Sequence, residues 1–295
     1  MKLKHLLFLS TLLSLMACSD DSPATPDSPE TPEQPDITNS VEKLVTMDVS
    51  QTYQTIAGFG ASDCWAPSFV GKSWTSGRAG ITELPFSSEI VNGKPKGIGL
   101  SQWRVNLGGG SAQQGDASGI EDKSRRAESY LKDDLTLDWS RCEGQRYFMS
   151  RAKELGCDNF ILFSNTPPVQ YTYNGKGFSV QGASSNLKTE HYDDFAGYMT
   201  EVAAHYTGEG YNVTHISPVN EPQYNWDGGQ EGSGWTNDQV AKLVRELDAS
   251  LTASGLSTDI LLGESGDWEY LYKSKSDANR SNVINAFFRE GSSAY

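Results

Sequence analysis

Five short apolar segments, each followed by a polar, glycine-rich or aromatic loop and then by a helical pattern, constrain this chain more than any other feature. The candidate strands lie near residues 55–60, 100–107, 159–164, 214–219 and 259–263. Ile161-Leu162-Phe163 and Ile260-Leu261-Leu262 are continuous apolar runs, as expected of parallel strands buried on both faces. The clearest helix covers residues 236–254. Thr236 and Gln239 form a capping box, Val240, Leu243, Val244, Leu247 and Leu251 make one apolar stripe, and Gly255 follows as the stop. Residues 143–155 and 190–206 read similarly, and 281–290 reads as a helix after the fifth strand. Strand–helix alternation predicts an α/β protein with a parallel sheet.

The positions of the polar residues favour a barrel over an open sheet. Asp63 and Trp65 follow the first strand, Arg104 and Asn106 end the second, and Ser164, Asn165 and Thr166 follow the third. Asn220 and Glu221 follow the fourth, and Glu264 the fifth. A (β/α)₈ barrel builds its site from the C-terminal ends of several strands. An open dinucleotide-binding sheet would place a glycine-rich phosphate loop after the first strand. Gly58-Phe59-Gly60-Ala61-Ser62-Asp63 lacks the third glycine and runs into Cys64-Trp65-Ala66-Pro67, a poor helix start. Gly108-Gly109-Gly110 reads as a flexible turn.

The N-terminus reads as an export signal. Lys2 and Lys4 precede an apolar stretch from Leu6 to Ala17, too short to span a bilayer, and Leu15-Met16-Ala17-Cys18 resembles the lipobox of bacterial lipoproteins. That resemblance implies acylation of Cys18 and an outer-membrane lipoprotein at the cell surface or periplasmic face. Residues 1–18 are therefore expected to be the signal peptide with its lipobox cysteine, residues 19–40 a disordered tether, and residues 41–295 a partial catalytic barrel. Prolines recur every three residues from Pro23 to Pro35, which keeps the tether extended. Its six acids account for −6 of the formal −14, leaving −8 on the remainder. An acidic chain offers no electrostatic footprint for nucleic acid. Cys64, Cys142 and Cys157 match no zinc or redox spacing, so no metal or other cofactor is expected, and a 142–157 bridge is left open.

The sharpest motif is Ser217-Pro218-Val219-Asn220-Glu221-Pro222. Asn-Glu-Pro after a fourth strand resembles the retaining (β/α)₈ glycosidases, whose acid/base glutamate follows an asparagine. A carboxylic acid there would protonate the leaving oxygen and then deprotonate water. A longer match extends it: Gly58-Phe59-Gly60-Ala61-Ser62, Trp103 to Gly110, Phe163-Ser164-Asn165-Thr166-Pro167-Pro168, Asn220 to Trp226 and Gln230-Glu231-Gly232-Ser233. Together these resemble glycoside hydrolase family 30, in its endo-β-1,6-galactanase-like branch.

The resemblance implies a retaining endo-hydrolase of β-1,6-linked galactan or a similar polysaccharide, with a polysaccharide partner and a monomeric complete protein. Carried over by position, Glu221 is the acid/base and Asn220 holds a sugar hydroxyl. Arg104 braces carboxylates or makes a structural ion pair. Trp65 and Trp226 stack sugars or fill core. Asp63 binds a hydroxyl or caps a turn, and Asn165, Tyr224, Gln230 and Glu231 contact substrate.

The sequence departs from the family in its strand count. A retaining mechanism needs a nucleophile about 5–5.5 Å from the acid/base, and the family's comes from a seventh strand. Only five β/α units of the barrel are readable, so the nucleophile is expected to be absent. Glu264 is the remaining strand-end carboxylate and is expected to bind substrate or pack. The chain is then expected to be an N-terminal portion, inactive and poorly folded alone because its outer strands are open edges. Two alternatives remain: another family specificity (β-1,6-glucan or xylan), or a surface glycan-binding lipoprotein without catalysis.

Overall fold

A computed structural model describes residues 46, 48–179, 184–275 and 277–292. The signal peptide, Cys18 and the tether lie outside the described residues. Two compact units divide the chain at Thr55/Ile56. In the first, the Asp48 carboxylate closes a turn by accepting hydrogen bonds from the Ser50 backbone N–H (3.0 Å) and hydroxyl (2.7 Å).

The second unit is an α/β layer. Its elements in chain order are β1 (Gly60–Ser62), α1 (Ala66–Ser73), α2 (Arg78–Phe86), β2 (Ile90–Val91), β3 (Lys94–Pro95), β4 (Gln102–Asn106), α3 (Ser111–Gln114), α4 (Glu143–Glu154), β5 (Asn159–Phe163), α5 (Tyr192–Gly208), β6 (Val213–Ser217), α6 (Asn237–Ser254), β7 (Asp259–Ile260), α7 (Glu269–Tyr272) and α8 (Val283–Phe287). Short 3₁₀ turns join some of them, and β2–β3 is a separate hairpin.

The main sheet has the order β1-β4-β5-β6-β7, with every pair parallel. Spatial order therefore follows chain order. A doubly wound sheet reverses direction at a switch point, whereas a barrel adds each strand beside the last. The five strands therefore form the barrel arrangement expected from the sequence.

Side-chain alternation explains where the core sits. Trp103, Val105, Phe160, Leu162 and Ile216 point to the helix side and are buried. There they join Phe148, Met149 and Ala152 of α4, Phe195, Met199 and Val202 of α5, and Val240, Leu243 and Leu247 of α6. The opposite face carries Gln102, Arg104, Ile161 and His215, all half-buried. Continuous apolar runs predict cover on both sides of Ile161 and Ile260, yet both are half-buried among the described residues. Among the described residues, helices cover only one face.

Helix α6 has the capping box read from the sequence. Thr236 Oγ1 accepts from the Gln239 N–H (3.3 Å), and Gln239 Oε1 accepts from the Thr236 N–H (3.0 Å). Such a cap stabilises a helix by about 1 kcal/mol. Other details differ from expectation. The first strand runs 60–62, and the fifth stops at Ile260. The helix expected at 281–290 is confined to Val283–Phe287. Residues 64–67 do start a helix: Pro67 sits in the first turn of α1, where no intrahelical N–H is needed. Cys64, Cys142 and Cys157 are all free thiols. No helix among the described residues is long and apolar enough to cross a membrane.

Candidate active site

The C-terminal ends of the five strands converge on Arg104. Its Nη2 donates to Asn220 Oδ1 (2.9 Å) and to Glu264 Oε2 (2.6 Å), and its Nη1 to Ser62 Oγ (3.3 Å). Its guanidinium lies 3.2 Å from the centroid of the Phe163 ring. The Ser217 hydroxyl donates to the same Glu264 oxygen. One cation thus links the ends of β1, β4, β5, β6 and β7. Arg104 pairs with one carboxylate and also orients the asparagine beside Glu221. Charge-assisted bonds of this kind are roughly twice as strong as neutral ones.

Glu221 follows β6 across the Pro218-Val219-Asn220 turn. Its backbone N–H donates to the Glu264 carbonyl (2.8 Å), joining the loops after β6 and β7. Its own carbonyl accepts from the Tyr224 N–H (3.0 Å) and from Trp226 Nε1 (3.1 Å). The Glu221 backbone is left-handed, with φ +44°. Its carboxyl faces a cavity of about 460 Å³, also lined by Asp122, Arg125, Tyr224, Trp226 and Asp227. Gly266 leaves room there: a Cβ at that position would lie 3.4 Å from the Glu221 carboxyl carbon.

The aromatic residues divide between two places. Tyr224 is exposed and packs edge-on to buried Trp226, with ring centroids 5.1 Å apart, in the Glu221 cavity. Trp65 lines a second cavity of about 480 Å³ with Phe69, Lys72, Lys123 and Arg126. The Arg125 guanidinium, which lines the first cavity, lies 5.8 Å from the Trp65 ring centroid.

Three expected substrate contacts are buried away from the cavity. Asp63 is 1% exposed and accepts from the Asn106 N–H (2.9 Å) and from Gln145 Nε2 (2.6 Å). Asn165 is buried and donates to Asn106 Oδ1 (3.2 Å). These residues form a hydrogen-bonded floor beneath the strand ends, because a buried polar group is tolerated only when paired. Glu231 is fully buried. Its Oε2 accepts from the Gly109 N–H (2.8 Å), and its Oε1 from the Ser111 N–H (3.0 Å) and hydroxyl. Burial pushes its carboxyl pKa up, against those hydrogen bonds. The triglycine turn is accordingly pinned to a carboxylate and is not a flexible loop.

Burial raises the Asp63 pKa from 3.8 to about 6. The folded state therefore holds a proton between about pH 4 and 6 that the unfolded state has already lost. Stability from this group is full below about pH 4 and falls as pH rises through 6. A rise of that size corresponds to about 3 kcal/mol. Asp63→Asn should flatten that part of the profile. Thermal melts of both proteins from pH 4 to 7 check it, and identical slopes would refute it.

Sequence reasoning missed Ser217, Asp122, Arg125, Asp227 and Gly266. Ser217 ends a strand and could have been found by position. Asp122 and Arg125 come from the long β4–α4 connection, where no motif marks them.

Parallel strands in chain order, with an Asn–Glu pair and a bracing arginine at their C-terminal ends, define the class of (β/α)-barrel glycosidases. The O-glycosyl hydrolase family 30 profile matches residues 42–295, and the chain belongs to that family. It is 25% identical over 262 residues to an endo-β-1,6-galactanase of Hypocrea rufa, covering 81% of this chain and 53% of that protein. A crystal structure of a conserved exported protein from Bacteroides fragilis is 34% identical, with a TM-score of 0.80 over 84% of this chain and 52% of the other. An endo-β-1,6-glucanase shares the fold at 19% identity, with a TM-score of 0.56, covering 86% and 53%. The chain spans about half the length of each.

Proposed function

We propose that this chain supplies the acid/base half of a retaining endo-glycosidase acting on β-1,6-linked galactan. The observation that carries the reading is Glu221. Its carboxyl lines an open cavity beside Tyr224 and Trp226, and its neighbour Asn220 is oriented by Arg104. In this reading Glu221 protonates the departing glycosidic oxygen and later takes a proton from water. Asn220 holds the hydroxyl next to the anomeric carbon. Galactan is preferred because the curated relative is named a β-1,6-galactanase. Cys18 would anchor the protein to the outer membrane through an acyl chain, with residues 19–40 as spacer; the exported relative accords with this.

Asp63, which follows β1, is buried in the floor, and Glu264, which follows β7, has its Oε2 engaged by Arg104 and Ser217. That favours a bracing role over nucleophilic attack. It also supports a second reading, in which the chain binds glycan without cleaving it. Incubating the 295-residue chain with β-1,6-galactan, β-1,6-glucan and xylan, with binding and product release both measured, tests the pair. Binding of galactan oligomers above the other two is expected. Equal binding of all three, or none, would overturn the galactan assignment, and product release that disappears in Glu264→Ala while the protein stays folded would make Glu264 the nucleophile.

A further inference from the structure

We propose that Glu231 is a positioning residue that holds Glu221 in place through Gly232 and Trp226. The proposal rests on Glu221 being the acid/base, and its test does not require turnover.

The linkage runs through a continuous set of contacts. Glu231 is sealed from solvent, and its two oxygens collect the Gly109 N–H, the Ser111 N–H and the Ser111 hydroxyl. Ser111 Oγ in turn accepts from the Ala127 N–H (3.1 Å). This ties the loop after β6 to the connection after β4. The next residue, Gly232, donates its N–H to the Gly177 carbonyl (2.9 Å) and is thereby fixed on its other side. The Trp226 ring lies directly on Gly232: a Cβ added there would sit 2.2 Å from the ring. Trp226 then donates its indole N–H to the Glu221 carbonyl (3.1 Å).

Strain explains why such a support is needed. Glu221 (φ +44°) and Trp226 (φ +51°) both have left-handed backbones without being glycine. Residues of that kind persist only where their surroundings over-determine them. The Glu221 carboxyl has no hydrogen-bond partner among the described residues, so its placement depends on its backbone. That backbone is held by three bonds: its N–H donates to the Glu264 carbonyl, and its carbonyl accepts from the Tyr224 N–H within the same turn and from the Trp226 indole, the one side-chain donor of the three. Trp226 has its seat only because Gly232 lacks a side chain and is pinned by Glu231. A carboxylate is well suited to this position because it accepts from several donors at once, whereas an amide in its place would turn an N–H₂ group toward a backbone N–H.

Hydrogen exchange followed by NMR on the full chain tests this. In Glu231→Gln, the Glu221 amide and the Trp226 indole N–H should exchange roughly tenfold faster or more, while the amides of Val240 and Leu243 in α6 keep their wild-type rates. Trp226→Phe should free the Glu221 amide alone, placing Trp226 between the two glutamates. A merely structural Glu231 would loosen Gly109 and Ser111 without altering Glu221, and that outcome overturns the proposal. If Glu231→Gln also accelerates exchange in α6, Gly232→Ala decides, because it displaces Trp226 while leaving the Glu231 carboxylate intact. Unchanged protection of Glu221 in Gly232→Ala would overturn the proposal as well.

Discussion

Glu221→Gln should lower turnover of β-1,6-galactan by roughly 10²–10⁴-fold in the hydrolytically active protein, the range that general acid–base catalysis contributes. A sugar alkoxide is a poor leaving group, so cleavage of the proposed galactan linkage needs a proton in the transition state. Glutamine has the same shape and cannot supply one. Asn220 would still be oriented by Arg104, and Tyr224 and Trp226 would still line the cavity, so substrate binding should change little. The loss should therefore fall on kcat and not on KM. Aryl galactosides with acidic leaving groups provide the control. Their first step needs little protonation and should be nearly spared, while the second step still lacks its base, so a covalent glycosyl-enzyme should accumulate. Steady-state kinetics on both substrates separate these effects. Galactan turnover unchanged by the substitution would remove Glu221 from the role.

Gly144→Ala should cost about 3 kcal/mol, at the upper end of what overpacking costs. Helices α1 and α4 cross at two glycines. A Cβ on Gly144 would lie 1.9 Å from the Ser68 carbonyl oxygen, and one on Gly71 would lie 2.2 Å from the Gly144 carbonyl oxygen. Both obstacles are backbone, so no side-chain rotation relieves them and the helices must separate. Separation would disturb Phe148 and Met149 on α4 and would move Gln145, which bonds Asp63 beneath the strand ends. At about 2–4 °C per kcal/mol for a domain of this size, the melting temperature should fall by roughly 10 °C. Gly71→Ala should behave alike, and the double variant should fall short of the sum because both remove the same contact. Gly197→Ala in α5 is the control of opposite sign: a Cβ there meets nothing within 4 Å, and alanine favours helix by up to about 1 kcal/mol. A wild-type melting temperature for Gly144→Ala would mean that the two helices are not packed as described.

How much is legible in the sequence depends on whether a feature is local. The capping box at Thr236 and Gln239, the stripe along α6 and its stop at Gly255 involve residues within a few positions of one another, and all appear in the structure as the sequence predicts. Strand order follows from the strand–helix alternation. Strand ends are less legible, since β1 and β7 stop where pairing stops, and pairing is set by the neighbouring strand. Cys64 to Pro67 looks like a poor helix start on propensity alone, because propensity omits the packing of α1 on α4, which sustains the helix.

For the site, the sequence identifies polar residues at strand ends but not the direction each one faces. Asp63, Asn165 and Glu231 resemble Glu221 in sequence context, yet they are buried and fully engaged, while the Glu221 carboxyl faces a cavity. The difference lies in long-range partners such as Gly109 for Glu231 and Gln145 for Asp63, which are 122 and 82 residues distant. By itself the sequence determined the parallel order of strands, the helix boundaries set by caps and the Asn-Glu-Pro position, because periodicity, capping and a contiguous motif are properties of neighbouring residues. Only the tertiary structure decided which acid is free and which braces the fold, because a carboxylate's role depends on the donors that surround it, and those donors come from elsewhere in the chain.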